Sequence, residues 1–248
     1  MKIIVLLKQV PDLVEDLEVD ASGKALDKSD INFKLNEFDD HALEEAILLK
    51  ESGSANEVVA MAMDGDDVDK MLFTAVAKGA DRAVKLTGGN PIDSHQLGKA
   101  FSNALGSEGC DLVFTGVQSV DDRDGQLGPI VASYMNKPCV SVVSGIFVSG
   151  GMAVVHKEYS GGMMGEFEVD LPAVLGIQAA KQSPRYAPVS KIRQVQQTAS
   201  IGEADMGDLG PGSGSSVASM APPEKGVGAE MLNDVEDLMD VLKDKGAL

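Results

Sequence analysis

Asp111-Leu112-Val113-Phe114-Thr115 runs directly into Gly116-Val117-Gln118-Ser119-Val120-Asp121-Asp122-Arg123-Asp124-Gly125-Gln126-Leu127-Gly128-Pro129. The first five residues are a short apolar run with a polar residue at each end, which reads as a strand. A helical pattern follows from Leu127 to Met135, reached through a loop in which Gly125 and Gly128 permit close backbone approach. Moving outward, the same alternation recurs. Ile3–Leu7, Glu57–Ala62, Ala83–Leu86 and Cys139–Val143 are further strand-length apolar runs, and Asp64–Ala77 and Ser94–Leu105 carry helical patterns. Asn36 is placed to cap another helix, with Asp39 and Asp40 in its first turn and Phe38, Ala42, Leu43, Ala46 and Ile47 along one face. Strands alternating with crossover helices predict an α/β fold with a doubly wound, mostly parallel sheet. Ligands of such sheets bind beyond the carboxyl ends of the strands.

The rhythm changes after Val143. Gly145–Val148, Met152–His156, Glu166–Val169 and Ala173–Ile177 are strand-length and joined by Gly150-Gly151 and Ser160-Gly161-Gly162, which reads as an antiparallel β-meander appended to the parallel sheet. Pro184 and Pro188 keep the following segment extended. From Gly207 to Gly228 the chain is rich in Gly, Ser and Pro. Met231, Val235, Leu238 and Leu242 then recur at helical spacing. The expected organisation is an α/β domain over residues 1–195, an extended linker over 196–228 and a C-terminal helical arm over 229–248. The arm has two readings, folding back on its own domain or packing on another chain.

A chain of 248 residues with 44% hydrophobic composition can bury one substantial core. No apolar run approaches the ~20 residues that span a bilayer. The first strand is followed at once by Lys8 and lacks the pattern of a secretory signal, so a cytoplasmic protein with no membrane insertion is expected. The net charge of −18 disfavours nucleic acid and anionic lipid. Cys110 and Cys139 form no disulfide framework or CxxC pair and read as buried free thiols.

No catalytic constellation stands out. His41, His95 and His156 lie far apart, with no metal-ligand partner at helical spacing. The acidic run Asp64-Gly65-Asp66-Asp67-Val68-Asp69 places Val68 at a ligand position of a calcium loop and lacks the closing bidentate Glu, so it reads as the acidic opening of a helix. There is no Walker loop, no GxSxG elbow and no GxGxxG after the first strand, so the expectation is no catalytic residue and no metal, with chemistry supplied by a cofactor or partner. Gly116–Pro129 remains, either as a plain strand-to-helix turn or as a phosphate cradle. Asp121, Asp122 and Asp124 oppose the second reading unless they are turned away.

The chain-wide pattern resembles the β subunits of electron-transfer flavoproteins. The resemblance is carried by Lys8-Gln9-Val10-Pro11-Asp12, by Asn36-Glu37-Phe38-Asp39-Asp40 with Ala42–Ala46, by Ala77-Lys78-Gly79-Ala80-Asp81-Arg82, by Gly116–Pro129, by Leu171-Pro172-Ala173-Val174 and by Pro184-Arg185-Tyr186-Ala187, in consistent order from residue 1 to about 195. It implies an adenine-nucleotide-binding, Rossmann-like sheet and pairing with a larger α subunit that holds most of an electron-carrying FAD. The chain is then an electron carrier rather than a stand-alone enzyme, passing electrons from a flavin dehydrogenase of the acyl-CoA dehydrogenase type to a downstream acceptor. It binds AMP, or, in a bifurcating branch that oxidises NADH, a second FAD in the same region. By matched positions, the resemblance assigns nucleotide contacts to Leu6, Asn36, Phe38, Asp39, Met63, Gly116, Gln118, Asp121, Asp122, Gly125, Gln126, Leu127 and Gly128. It assigns partner docking to a loop over Ala187–Gln194, with Val189, Lys191, Ile192 and Arg193, and gives the tail helix a grip on the α subunit. A reading of another class is a stress-protein-like nucleotide-binding regulatory domain, which leaves the meander and the Pro184–Ala187 block unexplained.

Overall fold

A computed structural model describes every residue except Lys225, Val227 and Glu230. Those parts of the expected linker and arm lie outside the described residues. The chain divides into one unit of Met1–Leu17 with Lys28–Ser216 and a second of Glu18–Asp27 with Val217–Leu248.

In the first unit, Ile3–Leu7 is apolar at every position because β1 (Lys2–Leu7) is buried on both faces of a parallel sheet. After it come β2 (Gln9–Pro11) and β3 (Phe33–Leu35), a small antiparallel pair, and then α1 (Glu37–Glu51), β4 (Glu57–Met63), α2 (Val68–Lys78), β5 (Arg82–Thr87), α3 (Ser94–Glu108), β6 (Leu112–Gly116) and α4 (Leu127–Met135). The chain continues through β7 (Cys139–Ser149), β8 (Met152–Tyr159), β9 (Met163–Asp170), β10 (Ala173–Ile177), α5 (Val189–Thr198) and β11 (Ile201–Asp205). The main sheet has the order β11-β5-β4-β1-β6-β10-β7-β8-β9, parallel from β11 to β7 and antiparallel beyond.

Alternate residues of β1 feed two cores. Ile3, Val5 and Leu7 meet Leu43 and Ile47 of α1 and Leu72 of α2. Ile4 and Leu6 meet Phe101 and Leu105 of α3 and Val131 of α4 on the opposite face. The sheet is therefore doubly wound, and its strand order reverses between β1 and β6. That switch point fixes where a ligand cleft can open.

Two expectations change here. Ala173–Ile177 is not the last strand of the meander; it returns between β6 and β7 as a parallel strand, buried at all five positions. Its unbroken apolar run fits two covered faces, whereas Glu166–Val169 alternates as a one-sided strand should. Ile201–Asp205, inside the stretch expected as linker, pairs in parallel with β5 at the sheet edge. With few apolar residues, β11 is held largely by its backbone ladder, a weak signal in sequence.

β7 fuses two expected strands. It runs parallel to β10 through Val143 and antiparallel to β8 beyond, with a bulge at Val142 (φ 66°) where the register shifts. Cys110 and Cys139 are free and half-buried rather than fully buried.

The second unit holds a Val19–Leu26 bridge and α6 (Val235–Asp244). Asp234 caps α6 by accepting the Asp237 N–H at 2.9 Å, so the helix starts four residues after Met231 and leaves that residue outside it. Val235, Leu238 and Met239 are exposed. Among the described residues, no helix is long and apolar enough to cross a membrane.

Candidate functional site

The chain leaves β1 at Lys8 and β6 at Gly116, side by side at the switch point. Both exits are held by the start of α1. Asp39, 5% exposed, accepts the Lys8 N–H on Oδ2 and the Gly116 N–H on Oδ1, each at 2.8 Å. Asn36 donates its N–H to the Lys8 carbonyl at 2.9 Å and its Nδ2 to the Gln118 carbonyl at 2.9 Å. It stands at the N-cap position of α1 without a side-chain cap bond, because its side chain holds the β6 exit loop instead. Gly116 is required by this arrangement: a Cβ there would lie 2.5 Å from Asp39 Oδ1 and 2.7 Å from Phe38 Cβ.

Burial pushes the Asp39 carboxyl up to about 7, against the two backbone N–H groups that favour its charged form. Lys8 Nζ meets Ser119 Oγ at 2.9 Å, Asp121 Oδ1 at 2.9 Å and Asp122 Oδ2 at 2.6 Å. Burial is the largest single influence on Lys8 and works to lower its pKa, but the pairs with Asp122 and Asp121 outweigh it and the group ends above its usual range. Asp122 shows the converse. Burial raises it, Lys8 more than offsets that, and its carboxyl ends below the ordinary value. Asp122 Oδ1 also accepts from Ser119 Oγ at 3.0 Å and from the Asp124 N–H at 3.2 Å. Asp124 accepts the Gln126 N–H at 3.0 Å and the Ser94 hydroxyl. Each of the three aspartates that opposed an anion site in the sequence thus has donors from the protein.

A cleft opens in front of these residues. Of the residues assigned from sequence, Asn36, Asp39, Gly116, Gln118, Asp122, Gly125, Gln126 and Leu127 line it. Leu6 is sealed in the sheet core, Met63 packs against the α3–α4 side, and Gly128 is buried with its Cα side against Thr115 Oγ1. Phe38 backs onto Gly116, and Asp121 reaches Lys8 from the loop. Val117, Ser119 and Asp124 of the Gly116–Leu127 loop also line the cleft, as do Lys8, Ser94 and Leu97, which were not assigned from sequence. Lys8 was legible as the residue that follows the strand next to the switch point, whereas Ser94 is brought in by tertiary packing of α3.

At the start of α4, Leu127 and Gly128 carry main-chain N–H groups that a helix leaves without intrahelical acceptors. Asn36 Oδ1 and Thr115 Oγ1 are buried with no hydrogen-bond partner among the described residues. Among the described residues, no group of three or more His, Cys, Asp or Glu side chains is placed to hold a metal ion.

A family model described as the electron transfer flavoprotein domain matches residues 24–203. The electron transfer flavoprotein subunit beta of Methylophilus methylotrophus is 40% identical over 215 residues, covering 85% of this chain and 81% of that protein. This chain belongs to the electron transfer flavoprotein β-subunit family. Similarity extends to the subunit beta of Syntrophomonas wolfei, 33% identical over 77% of this chain and 75% of that protein, and to the mitochondrial subunit beta of Oryza sativa subsp. japonica, 30% identical over 99% and 98%. A flavin-related role in electron transfer and an α-subunit partner go with membership of the electron transfer flavoprotein β-subunit family.

The segment expected as a docking loop in this β subunit is instead helix α5. Pro188 occupies its N-cap position, where its missing N–H costs nothing and its carbonyl accepts from Lys191 and Ile192 at 2.9 and 3.1 Å. Val189, Lys191 and Arg193 are exposed, and Ile192 is half-buried.

Proposed function

We propose that this chain binds an adenine nucleotide in the β1–β6 cleft and, with its α subunit, carries electrons from a flavin dehydrogenase of the acyl-CoA dehydrogenase type to a downstream acceptor. The redox chemistry is that of FAD held mainly by the α subunit, and the resident nucleotide of this chain is AMP. The observation that carries the nucleotide reading is the donor set at the switch point: the start of α4, whose first N–H groups have no intrahelical acceptor, beside a buried Asn36 Oδ1 that lacks a partner among the described residues. These residues fit an adenylate. Leu127 and Gly128 N–H groups suit its phosphate, Gly125 at φ 64° lets the backbone come close, and Asn36 Oδ1 offers an acceptor to a ring amino group. Asp39 and Lys8 hold the two strand ends that form the walls.

In the same reading, Val189, Lys191, Ile192 and Arg193 of α5 meet the dehydrogenase, and the α6 arm packs its Val235, Leu238 and Met239 stripe on the α subunit. The exposure of Val189 and of that stripe supports both assignments. Identifying the nucleotides released by denaturing the co-purified heterodimer tests the proposal. One FAD with one AMP is the expected result. Two FAD would assign the chain to the bifurcating branch, and a flavin-free homodimer holding ATP would overturn the electron-transfer reading.

A further inference from the structure

The loop ahead of α4 places Asp121, Asp122 and Asp124 within four residues, beside the helix start proposed to receive a phosphate. Left unpaired, carboxylates there would repel a dianionic ligand at short range in a partly buried site. The protein handles them in two ways. Asp124 is occupied by neutral donors, the Ser94 hydroxyl and the Gln126 N–H. Asp121 and Asp122 both meet the Lys8 ammonium, at 2.9 and 2.6 Å, and among the described residues no other cation pairs with either.

Lys8 is held for this task at its backbone. Its N–H is bound to Asp39 and its carbonyl accepts from Asn36, so the side chain leaves β1 in a direction set by the start of α1. The ammonium also reaches Ser119 Oγ, which joins it to both exits of the switch point.

We propose that Lys8 is the positioning residue that lets this cleft accept a phosphate-bearing nucleotide rather than the bare nucleoside, by drawing Asp121 and Asp122 onto its ammonium and cancelling their charge. This rests on the nucleotide reading given above. A ligand without a phosphate does not meet the carboxylates' repulsion, so Lys8 separates AMP from adenosine. A purely architectural tie between β1 and the loop would affect the two alike.

The test uses the full αβ heterodimer, freed of adenine nucleotide by high-salt dialysis over charcoal, with AMP and adenosine binding measured by calorimetry. Lys8→Met is expected to weaken AMP by about tenfold or more while adenosine changes by less than about twofold, and added salt should recover part of the AMP affinity by screening. Lys8→Arg should keep the preference for AMP. Should Lys8→Met fail to fold, Asp121→Asn with Asp122→Asn in the presence of Lys8 should bind AMP at least as tightly as the unsubstituted protein; added to Lys8→Met, the same pair should restore AMP binding. Equal loss of both ligands in Lys8→Met, or weaker AMP binding in the Asp121→Asn, Asp122→Asn protein, overturns the role of Lys8. An unsubstituted heterodimer that takes up neither ligand overturns the nucleotide reading itself, and this proposal with it.

Discussion

Glu44 and Arg185 form a two-pronged ion pair on the flank of α1. Arg185 Nε lies 2.9 Å from Glu44 Oε2 and Nη2 lies 2.9 Å from Oε1, while the Arg185 main-chain N–H donates to Oε2 at 3.0 Å. Glu44 is 1% exposed. Around it the same helix continues the grip. His41 Nδ1 accepts the Ala180 N–H, Glu45 accepts the Lys181 N–H, and Glu51 takes the far side of the guanidinium at 2.6 Å. Helix α1 therefore holds the cleft at its first turn through Asp39 and the lead into α5 along the rest of its length, from His41 to Glu51.

Removing the cation leaves a buried carboxylate with no opposing charge, held only by the Arg185 main-chain N–H and the Gln182 amide. Arg185→Met should cost about 3–5 kcal/mol, measured by denaturant unfolding of the heterodimer. The pH dependence has a definite sign. Burial, the largest influence, raises the Glu44 carboxyl, yet the Arg185 bonds overcome it and the folded value lies below the ordinary 4.5. The pair's contribution is then complete above 4.5 and fades as pH falls through the folded value. The stability gap between the unsubstituted protein and Arg185→Met should narrow on acidification from neutral pH; a gap that widens contradicts the assignment.

Asp39 titrates in the other sense. Its folded value of about 7 stands above the ordinary 3.8, so the folded protein binds a proton that the unfolded chain releases. The stability this group contributes is fullest below about 3.8 and is lost as pH rises to about 7. Asp39→Asn removes that slope. It also turns an amide NH₂ towards the Lys8 or Gly116 N–H, leaving one buried donor unsatisfied at a cost of about 1–3 kcal/mol. Comparing urea midpoints of the two proteins from pH 4 to 8 measures both effects, and parallel pH profiles would show that Asp39 does not titrate in this range.

The doubly wound core was legible because its signals are local. Leu112–Phe114 and Ile3–Leu7 are apolar on consecutive positions, as only a strand covered on both faces needs to be, and α1 writes its buried face in Leu43, Ala46 and Ile47. The place of Ala173–Ile177 was misread because its neighbours in sequence are antiparallel, and chain order outweighed composition. The cleft was legible in its loop, Gly116–Leu127, and obscure in its charge. Whether Asp121 and Asp122 repel or are satisfied depends on Lys8, 113 and 114 residues away, a separation across which spacing carries no information. α5 was hidden by its prolines: Pro188 reads as a breaker until it is seen at the cap.

Two glycines of the site separate fold from function. At Gly116 a Cβ would meet Asp39 Oδ1 at 2.5 Å and the Asp39 nitrogen at 2.9 Å, so Gly116→Ala must push α1 off the strand ends. A loss of about 1–3 kcal/mol of stability is expected with the nucleotide. Gly125 has φ 64° and its Cβ would lie 3.2 Å from the Val117 carbonyl, a local conflict in an exposed loop. Gly125→Val should cost about 1–2 kcal/mol and empty the cleft while the helical circular dichroism of the heterodimer is retained. Full nucleotide content in Gly125→Val, assayed after denaturation, would place the binding site elsewhere.

Helix α5 gives the docking proposal its sharpest test. Lys191 and Arg193 are exposed, and the segment leading to them is fixed by Glu44 rather than by the cleft. Charge reversal at either, Lys191→Glu or Arg193→Glu, changes a surface charge that steers association and leaves the core untouched. In an assay with an acyl-CoA dehydrogenase from the same organism, KM for the heterodimer should rise about tenfold, the effect shrinking as salt is added, while kcat and flavin content stay constant. Val189→Ser should act in the same direction with little salt dependence, because it removes an apolar contact and changes no charge. If flavin content falls together with the rate in all three variants, α5 supports the α-subunit interface and is not the surface that meets the dehydrogenase.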